Sequence, residues 1–319
     1  MRTLGDMGEK DVVRRILMDI KSHAPVGPGD DAAAVDMGDY YLVISTDIIS
    51  ARTHLPQAMT DRQIGWMLAA VNYSDIAAMG ARPIGIVVSL ALPRDTKFAS
   101  LKRIMKGVQE CSNSVGAEIL GGDTKESAEM TLAGTAIGTV DKNKILLRKG
   151  ARPGDHLVVT GSLGLAAAGY YALVKGLNCP SGVKALLEPK PRIKEGLVLS
   201  SSGGVTSCMD ISDGLASSIY QLSEMSGVSF EIDWDSLPVR KDVLQVAQDS
   251  DVEPEELVLY YGGDYQLLFT VRPDRLKTLR SRLKSKISVI GKAKRSTRNT
   301  LKRNGRVTIL EDRGFEHFR

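Results

Sequence analysis

One carboxylate stands within an apolar stretch of the sequence. Asp75 follows the almost wholly apolar residues 66–71, and Asn72 lies three positions before it. On a helix, a spacing of three places Asn72 and Asp75 on one face, and the apolar run predicts that most of this helix is buried. A buried carboxylate is costly unless it is paired or holds a metal. A neighbouring arginine or a helix cap could satisfy Asp75 taken alone.

Asp75 is accompanied by further aspartates in predicted turns. Five segments carry them: Gly29-Asp30-Asp31, Ser45-Thr46-Asp47, Gly121-Gly122-Asp123-Thr124, Asp210-Ile211-Ser212-Asp213-Gly214 and Gly262-Gly263-Asp264-Tyr265. Two carboxylates about 4 Å apart repel by roughly 4 kcal/mol at an effective dielectric of about 20. If the segments converge, the site must therefore bind protons or cations. Oxygen ligands select hard ions such as Mg²⁺, which usually arrives with phosphates, so we predict a nucleotide site with several Mg²⁺ ions.

Composition excludes several other classes of protein. The 319 residues suffice for two domains, and 43% hydrophobic with 25% charged residues is typical of a globular protein. The chain has neither a membrane-length apolar run nor a signal-peptide core at its N-terminus, so we expect a cytoplasmic protein without a membrane partner. The three cysteines lack C-x-x-C spacing and the four histidines are scattered, which argues against disulfides and zinc.

The segment 272–306 is strongly basic. It holds 14 Lys or Arg residues and one acid, Asp274, a pattern that also occurs in nucleic-acid-binding proteins. However, it has no aromatic residue for base stacking, and Leu276, Leu279 and Leu283 form a helical apolar stripe. We therefore expect a solvated helix followed by an exposed hairpin, and no nucleic-acid partner.

The first half of the chain alternates predicted helices and strands. Helices are expected over 8–20, 60–79 and 96–115, the second opening with a capping box at Thr60 and Gln63. Strands are expected over 40–45, 84–90, 117–120 and 131–140. The first strand would deliver Thr46 and Asp47 at its C-terminal end, where ligand sites of α/β sheets lie. The short strand 117–120 would run into the turn of Gly122 and Asp123.

The second half restarts with a strand over 157–160, and the strand 205–209 presents Asp210 and Asp213 at the start of a helix. We predict two α/β (α+β) domains, 1–145 for ATP and Mg²⁺ binding and dimerisation and 146–319 for the C-terminal domain. The P-loop, the dinucleotide-binding G-x-G-x-x-G after a strand and the protein-kinase motifs do not occur.

Taken in order, the motifs resemble the thiamine-monophosphate kinase family, of the ATP-binding superfamily that includes aminoimidazole-ribonucleotide synthetase and selenophosphate synthetase. The resemblance covers the whole chain. Besides the aspartate segments it includes Gly8-Glu9, His54, Asn72-Tyr73-Ser74-Asp75-Ile76-Ala77-Ala78-Met79-Gly80-Ala81, Arg148, Asp264-Tyr265-Gln266-Leu267-Leu268-Phe269 and Gly314-Phe315-Glu316-His317-Phe318.

The resemblance implies ATP-dependent, in-line phosphorylation of thiamine monophosphate to thiamine diphosphate. It implies Mg²⁺ ligands at Asp30, Asp31, Ser45, Thr46, Asp47, Asp75, Asp123, Asp210 and Asp213. It also implies ATP contacts at Gly122, Asp123, Arg148 and Ser212, and substrate contacts at His54, Gly263 and Phe315. The family forms homodimers in which the N-terminal sheets complete a barrel. No catalytic side chain is assigned, because an anionic phosphate nucleophile needs positioning and charge neutralisation more than a strong base.

Two positions depart from the family pattern. Gly263 stands where the family usually has a Glu, which removes one expected substrate contact, and Met105 stands where an aromatic residue often stacks on adenine. The alternative is another superfamily enzyme acting on a different phosphate-bearing or acyl substrate. Selenophosphate synthetase would want a reactive N-terminal cysteine, and the hydrogenase-maturation relative a C-terminal one; the chain has neither.

Overall fold

The computed structural model describes residues 2–318 and contains two β-sheets with helices around them. The strands are β1 Ala33–Asp36, β2 Tyr40–Ser50, β3 Arg82–Leu92, β4 Glu118–Glu126, β5 Thr131–Asp141, β6 His156–Thr160, β7 Val205–Asp210, β8 Ser229–Asp233, β9 Leu267–Val271, β10 Ile287–Lys294, β11 Thr300–Arg303 and β12 Arg306–Ile309. The helices are α1 Glu9–Asp19, α2 Asp61–Ala78, α3 Phe98–Val115, α4 Leu165–Lys175, α5 Pro180–Leu187, α6 Ile193–Ser200, α7 Leu215–Ser226, α8 Lys241–Ser250 and α9 Leu276–Arg282. The mixed α/β class is as predicted.

The N-terminal sheet has five strands in the order β1-β2-β5-β3-β4, and α2 packs on one face of it. Along β5 every second residue is buried on that face, from Leu132 to Val140. The predicted capping box is present: Thr60 accepts from the Gln63 backbone, and the Gln63 side chain accepts from the Thr60 backbone. These pairings satisfy backbone N–H groups that a helix start otherwise leaves open, so α2 begins where the sequence predicts.

Two expectations for this sheet are wrong. Thr46 and Asp47 lie within β2 rather than at its end, because the strand stays paired with antiparallel β5 as far as Ser50. Gly122 and Asp123 lie within the edge strand β4, paired with β3, rather than in a turn. Ladder pairing carries β4 through Gly121, Gly122 and Asp123 and carries β2 through Asp47, all residue types of low strand propensity.

The pairing fixes which face each aspartate occupies. Asp47 lies opposite Gly134 in the ladder, and a Cβ on Gly134 would meet the Asn72 side chain of α2. Asp47 is therefore on the α2 face. Asp123 pairs with Ser89, which pairs with Ala133 on the other face. Because successive residues of a strand alternate between faces, Asp47 and Asp123 lie on opposite sides of the sheet.

The C-terminal sheet has seven strands in the order β12-β11-β8-β10-β6-β9-β7. The basic segment 272–306 differs from the expectation of a helix and an exposed hairpin. Its helix α9 buries Leu279 as predicted, but β10 is an interior strand between β6 and β8. Its residues Ile287, Ile290 and Ala293 enter the core, so only part of the segment is a solvated surface.

The helix α2 joins the two halves. One side of it packs on β2 and β5, and another packs on β7 and α6. The approach to α6 is close, since a Cβ on Gly196 would stand 2.2 Å from the Ala77 carbonyl oxygen. One buried cluster accordingly contains Ile76 of α2 together with Cys208 and Phe269 of the C-terminal sheet. Within residues 2–318, no helix is long and apolar enough to cross a membrane.

Candidate active site

A polar cavity lies where α2 meets the two sheets. Its volume is about 210 Å³. Its walls come from loops, strands and helices of both halves, and most of its lining residues carry an acid or a hydroxyl group. They are Asp31, Ser45, Thr46, Asp47, Val71, Asp75, Arg148, Asp210, Ser212 and Tyr265. Eight of the predicted site residues therefore converge here, because the strand β2, the helix α2 and the end of β7 bring distant segments together.

Four carboxylates in this cavity form what we call the carboxylate cluster: Asp31, Asp47, Asp75 and Asp210. One oxygen each from Asp31, Asp75 and Asp210 lies within 4.8 Å of the other two. Asp31 precedes β1, Asp75 is on α2, and Asp210 ends β7. Three unrelated elements thus present three oxygens to one point.

Two serines hold the cluster in place. Ser45 on β2 donates its hydroxyl to Asp75. Ser74 on α2 donates its hydroxyl to Asp210 at 2.5 Å, across the junction between the two halves. Both serines are buried, and each bond helps to fix one carboxylate of the cluster in place.

Burial and mutual repulsion perturb the acids. Burial raises the pKa of Asp75 well above its ordinary value, and the charges of Asp47 and Asp210 raise it further. Burial, with the charge of Asp31, raises the pKa of Asp210 to about 8. Burial likewise raises the pKa of Asp47, although its hydrogen bond with Asp75 works in the opposite direction. The cluster therefore retains protons near neutral pH unless cations replace them.

Arg148 is the cation beside the cluster. Its Nη2 donates to Asp31 Oδ1 at 2.7 Å, and its backbone N–H lies 3.2 Å from both Asp30 carboxylate oxygens. Its Nη1 donates to Gln221 Oε1 at 2.6 Å. The single positive charge of Arg148 does not neutralise the negative charges of the surrounding acids. Burial and the charge of Asp31 still raise the pKa of Asp30 to about 6.

Two buried polar atoms of this site lack a partner among the described residues. One is Asp31 Oδ2, an acceptor, and the other is Arg148 Nε, a donor. Buried polar atoms are normally hydrogen-bonded. An acceptor and a donor that both lack a partner therefore indicate that a ligand binds here. A carboxylate oxygen among other oxygen donors fits a hard cation, and a guanidinium N–H fits an anion such as phosphate. The residues present therefore fit a metal–phosphate ligand.

Other predicted residues lie outside the cavity. Gly122 and Asp123 are on the edge strand β4, with the Asp123 side chain 65% exposed and next to Lys125. Because β4 is three strand spacings from β2 and Asp123 occupies the other face, the two aspartates are separated by about 14 Å in the plane of the sheet. Within one chain Asp123 cannot join the cluster. Its predicted ligand role stays a prediction.

The predicted substrate residues His54 and Phe315 meet at the C-terminal tail. The His317 ring lies between them, 5.2 Å from the His54 ring and 4.8 Å from the Phe315 ring between centroids. The tail also contacts Asp213, whose carbonyl accepts from the Phe315 N–H at 2.9 Å. Burial, with the charge of Glu9, raises the pKa of Asp213 to about 6. Asp213 thus lies on the tail side of the site.

The tail is fastened to the start of α1 by what we call the tail clamp, formed by Glu9, Lys10, Glu316 and His317. The Glu9 N–H donates to the His317 carbonyl at 3.2 Å, and the His317 N–H donates to Glu9 Oε2 at 3.0 Å. The Lys10 N–H donates to Glu316 Oε1 at 3.1 Å. The two ends of the described chain therefore hold each other beside His54.

The glycine-rich turn before β9 has a structural role. Asp264 accepts from the N–H groups of Gly164 and Ala166, at 2.7 and 3.3 Å, and so caps the start of α4. Gly263 has φ +90°, a conformation that side-chain-bearing residues rarely adopt. Asp264 is thus committed to the helix and is not free to replace the missing Glu. Met105, the other departure, packs half-buried against the core.

Sequence reasoning did not single out Tyr265, Gln221 or Glu9 as site residues. Tyr265 lines the cavity with a strained φ of +45°, as residues at functional sites often do. Tyr265 and Glu9 stand inside recognised motifs, so a signal existed for them. Gln221 lies in no recognised motif, and its contact with Arg148 is visible only in the folded structure.

Comparison with known proteins agrees with this geometry. Residues 29–140 match the family "AIR synthase related protein, N-terminal domain", and residues 152–304 match its C-terminal domain. The chain is 32% identical to thiamine-monophosphate kinase of Pyrococcus horikoshii, covering 98% of this chain and 97% of the relative. It is 39% identical to that of Methanospirillum hungatei over 78% of this chain and 82% of the relative.

The fold is also similar to a solved structure, AaThiL complexed with AMPPCP and TMP. The TM-score is 0.89 at 27% identity, with 99% of both chains covered.

Proposed function

Because the chain belongs to the AIR synthase related family and, within it, to the thiamine-monophosphate kinases, we propose that it transfers the γ-phosphoryl group of ATP to thiamine monophosphate. The products are thiamine diphosphate and ADP. The observation that carries the proposal is the cavity that holds three convergent carboxylates together with the orphaned Asp31 Oδ2 and Arg148 Nε. Such a cavity suits a divalent cation paired with a phosphate.

Mg²⁺ is the proposed cation, held by Asp31, Asp75 and Asp210, with Asp47 beside them. When bound, it neutralises charge on the phosphate oxygens during transfer. Asp30 and Asp213 flank this set through Arg148 and the tail, respectively. The serines 45 and 74 orient Asp75 and Asp210 toward the cavity.

The protein groups would act by positioning. Arg148 keeps an unused N–H for an anionic oxygen, and Ser212 lines the same cavity. The acceptor phosphate is already an anion, so no side chain has to remove a proton before it attacks. In-line placement of donor and acceptor then accounts for the rate. This explains why no serine–histidine pair stands at the site.

At the other end, His54, His317 and Phe315 would flank the organic part of the substrate. Their rings lie edge-on or tilted to one another, and Phe315 is 45% exposed, so a flat aromatic ligand can reach it. Aromatic faces attract cations, and the thiazolium ring of thiamine is cationic. Gly263 provides no charge of its own, which leaves recognition to these rings.

We further propose a homodimer formed through the outer face of the N-terminal sheet. That face exposes Ile48, Ile84 and Leu120 and also carries Asp123, which cannot reach the cluster of its own chain. Sedimentation at micromolar concentration should show a dimer. If Asp123 serves the partner's site, mixing inactive Asp123→Asn and Asp75→Asn proteins should restore part of the activity by subunit exchange. A monomer, or no recovery from exchanged subunits, would exclude this arrangement.

The direct test of the function is a product assay. Protein, ATP, Mg²⁺ and thiamine monophosphate should yield thiamine diphosphate, whereas free thiamine in place of the monophosphate should not react. Omitting Mg²⁺ should stop the reaction. If the protein phosphorylates another phosphate ester and leaves thiamine monophosphate unreacted, the proposed substrate is wrong. The assignment of the fold and of the metal site would still stand.

The nucleic-acid alternative predicts salt-dependent binding of nucleic acid in place of Mg²⁺-dependent binding of ATP. The division into domains 1–145 and 146–319 and the cytoplasmic location remain predictions from the sequence.

A further inference from the structure

A glutamine on α7 contacts the cation of the site. Gln221 Oε1 accepts from Arg148 Nη1 at 2.6 Å, and Gln221 Nε2 donates to Ser217 Oγ at 3.4 Å, one turn earlier on the same helix. Ser217 is fully buried. The amide is therefore itself oriented, with its oxygen toward the guanidinium and its nitrogen toward the helix.

The same helix also holds the backbone around Arg148. Ser226 Oγ donates to the Arg148 carbonyl at 3.3 Å and accepts from the N–H groups of Gly150 and Ala151 at 3.1 Å each. These bonds fix the chain that carries Arg148, whereas the guanidinium itself donates to two side chains among the described residues, Gln221 and Asp31. The side chain is thus held at two ends, by Gln221 at Nη1 and by Asp31 at Nη2.

Without the glutamine, nothing described in residues 2–318 opposes the pull of the acids. Asp31, Asp210 and Asp30 all attract the guanidinium, so without Gln221 it would turn further onto them and Nε, which has no partner among the described residues, would lose its present orientation. An amide oxygen opposes this movement without adding negative charge. A carboxylate at position 221 would instead compete with the phosphate for the same cation.

On the basis of the proposed function, we propose that Gln221 is a positioning residue that orients Arg148 toward the phosphates of ATP. Gln221 contacts neither the metal ligands of the cluster nor the aromatic rings near His54. Its effect should therefore appear in nucleotide affinity and leave the affinity for thiamine monophosphate unchanged.

The test compares Gln221→Met, which keeps the length of the side chain but lacks the acceptor, with wild-type protein. Gln221→Met should weaken MgATP binding by about tenfold, the size expected for losing a hydrogen bond to a charged group. Isothermal titration with a non-hydrolysable ATP analogue and Mg²⁺ measures this without turnover. In the kinase assay, the KM for ATP should rise while the KM for thiamine monophosphate stays constant.

Two further variants separate positioning from general damage. Gln245→Ala removes an exposed glutamine that bonds only to Asp249 on α8 and should leave both affinities unchanged. Gln221→Glu restores an acceptor but adds charge, so it should keep the thermal midpoint and still weaken the binding of MgATP. Unchanged nucleotide affinity in Gln221→Met, or equal losses for both substrates, would overturn the proposal.

The binding measurement also distinguishes this proposal from the proposed function. If wild-type protein binds the analogue but never phosphorylates thiamine monophosphate, the proposed function fails. The comparison of Gln221→Met with wild type by titration still decides the role of Gln221.

Discussion

The carboxylate cluster and the tail clamp are held in opposite ways. The cluster takes its side chains from β2, α2, β7 and the loop before β1, so elements of both halves fix it. The clamp joins two chain ends and consists of half-buried residues. In the cluster, like charges lie close together, and Asp31 Oδ2 has no hydrogen-bond partner among the described residues. In the clamp, Glu9 and His317 satisfy each other through paired hydrogen bonds.

This difference separates two tasks. Rigid, buried charges that have no partner in the protein can interact strongly with a ligand of opposite charge. Electrostatic catalysis depends on such fixed charges. In the clamp, the hydrogen-bonding groups of Glu9 and His317 are already paired with each other. The clamp can therefore contribute mainly by shaping the pocket beside it. We therefore expect changes in the cluster to affect turnover, and changes in the clamp to affect substrate affinity.

The largest effect is expected for Asp75→Asn. Removing this charge should lower kcat by a factor of about 10²–10³ or more, the usual cost of losing one electrostatic contact to the transition state. In metal-free buffer at a pH high enough to ionise the cluster, the same variant should melt at a higher temperature than wild type, because repulsion with Asp47 and Asp210 is relieved. The product assay and a thermal melt check both. The exposed Asp95→Asn serves as control, and an Asp75→Asn enzyme with normal kcat would break the comparison.

The second prediction concerns pH. The folded pKa of Asp210 is raised from 3.8 to about 8, so its stabilising protonation is complete at low pH and lost as pH rises through about 8. Burial lowers the pKa of His54 and of His156 from 6.5, so their titration opposes this trend only at lower pH. In chelator, the melting temperature should fall as the pH rises from about 6.5 to about 8 and level off above that.

Added Mg²⁺ should raise the melting temperature more at the upper end of this range, since deprotonated acids bind it better. Asp210→Asn should flatten the decline. A wild-type profile without slope in chelator would contradict the assignment of these charges.

A smaller effect is expected in the clamp. Glu9→Ala removes the acceptor for the His317 N–H and should raise the KM for thiamine monophosphate about threefold to tenfold, the range for one hydrogen bond. The KM for ATP should not change. Glu9→Gln keeps an acceptor and should show a weaker effect. Lys10→Met removes the exposed pair with Asp312 but keeps the backbone N–H that bonds to Glu316, so it should have a smaller effect on the KM for thiamine monophosphate. A fall in kcat alone would place Glu9 with the cluster.

The smallest effect is expected at Gly263. A side chain there meets Ala166 only at 3.4 Å, so space is sufficient, but the φ of +90° strains any residue other than glycine. Gly263→Ala and Gly263→Glu should each lower the stability by about 1–2 kcal/mol. Thermal melts measure this cost. If Gly263→Glu also lowers the KM for thiamine monophosphate relative to Gly263→Ala, the charge itself contributes.

Much of this structure could be predicted where local and global preferences agree. The helix α2 is predicted by its capping residues Thr60 and Gln63 and by its apolar run. The convergence of Asp31, Asp75 and Asp210 is predicted by the order of the motifs. The lengths of β2 and β4 could not be predicted, because ladder partners far away in sequence carry them through glycine and aspartate. The contact of Gln221 with Arg148 spans 73 positions and leaves no periodic trace.

The shared core around α2 has a consequence for how the chain is made. During synthesis the first half leaves the ribosome before β7 is made, so the side of α2 that packs on β7 and α6 has nothing to cover it. Domains usually fold as units as they emerge, but here the nascent first half would carry an apolar stripe until roughly two-thirds of the chain is translated. A gene fragment encoding only the first half is therefore expected to yield an aggregating product.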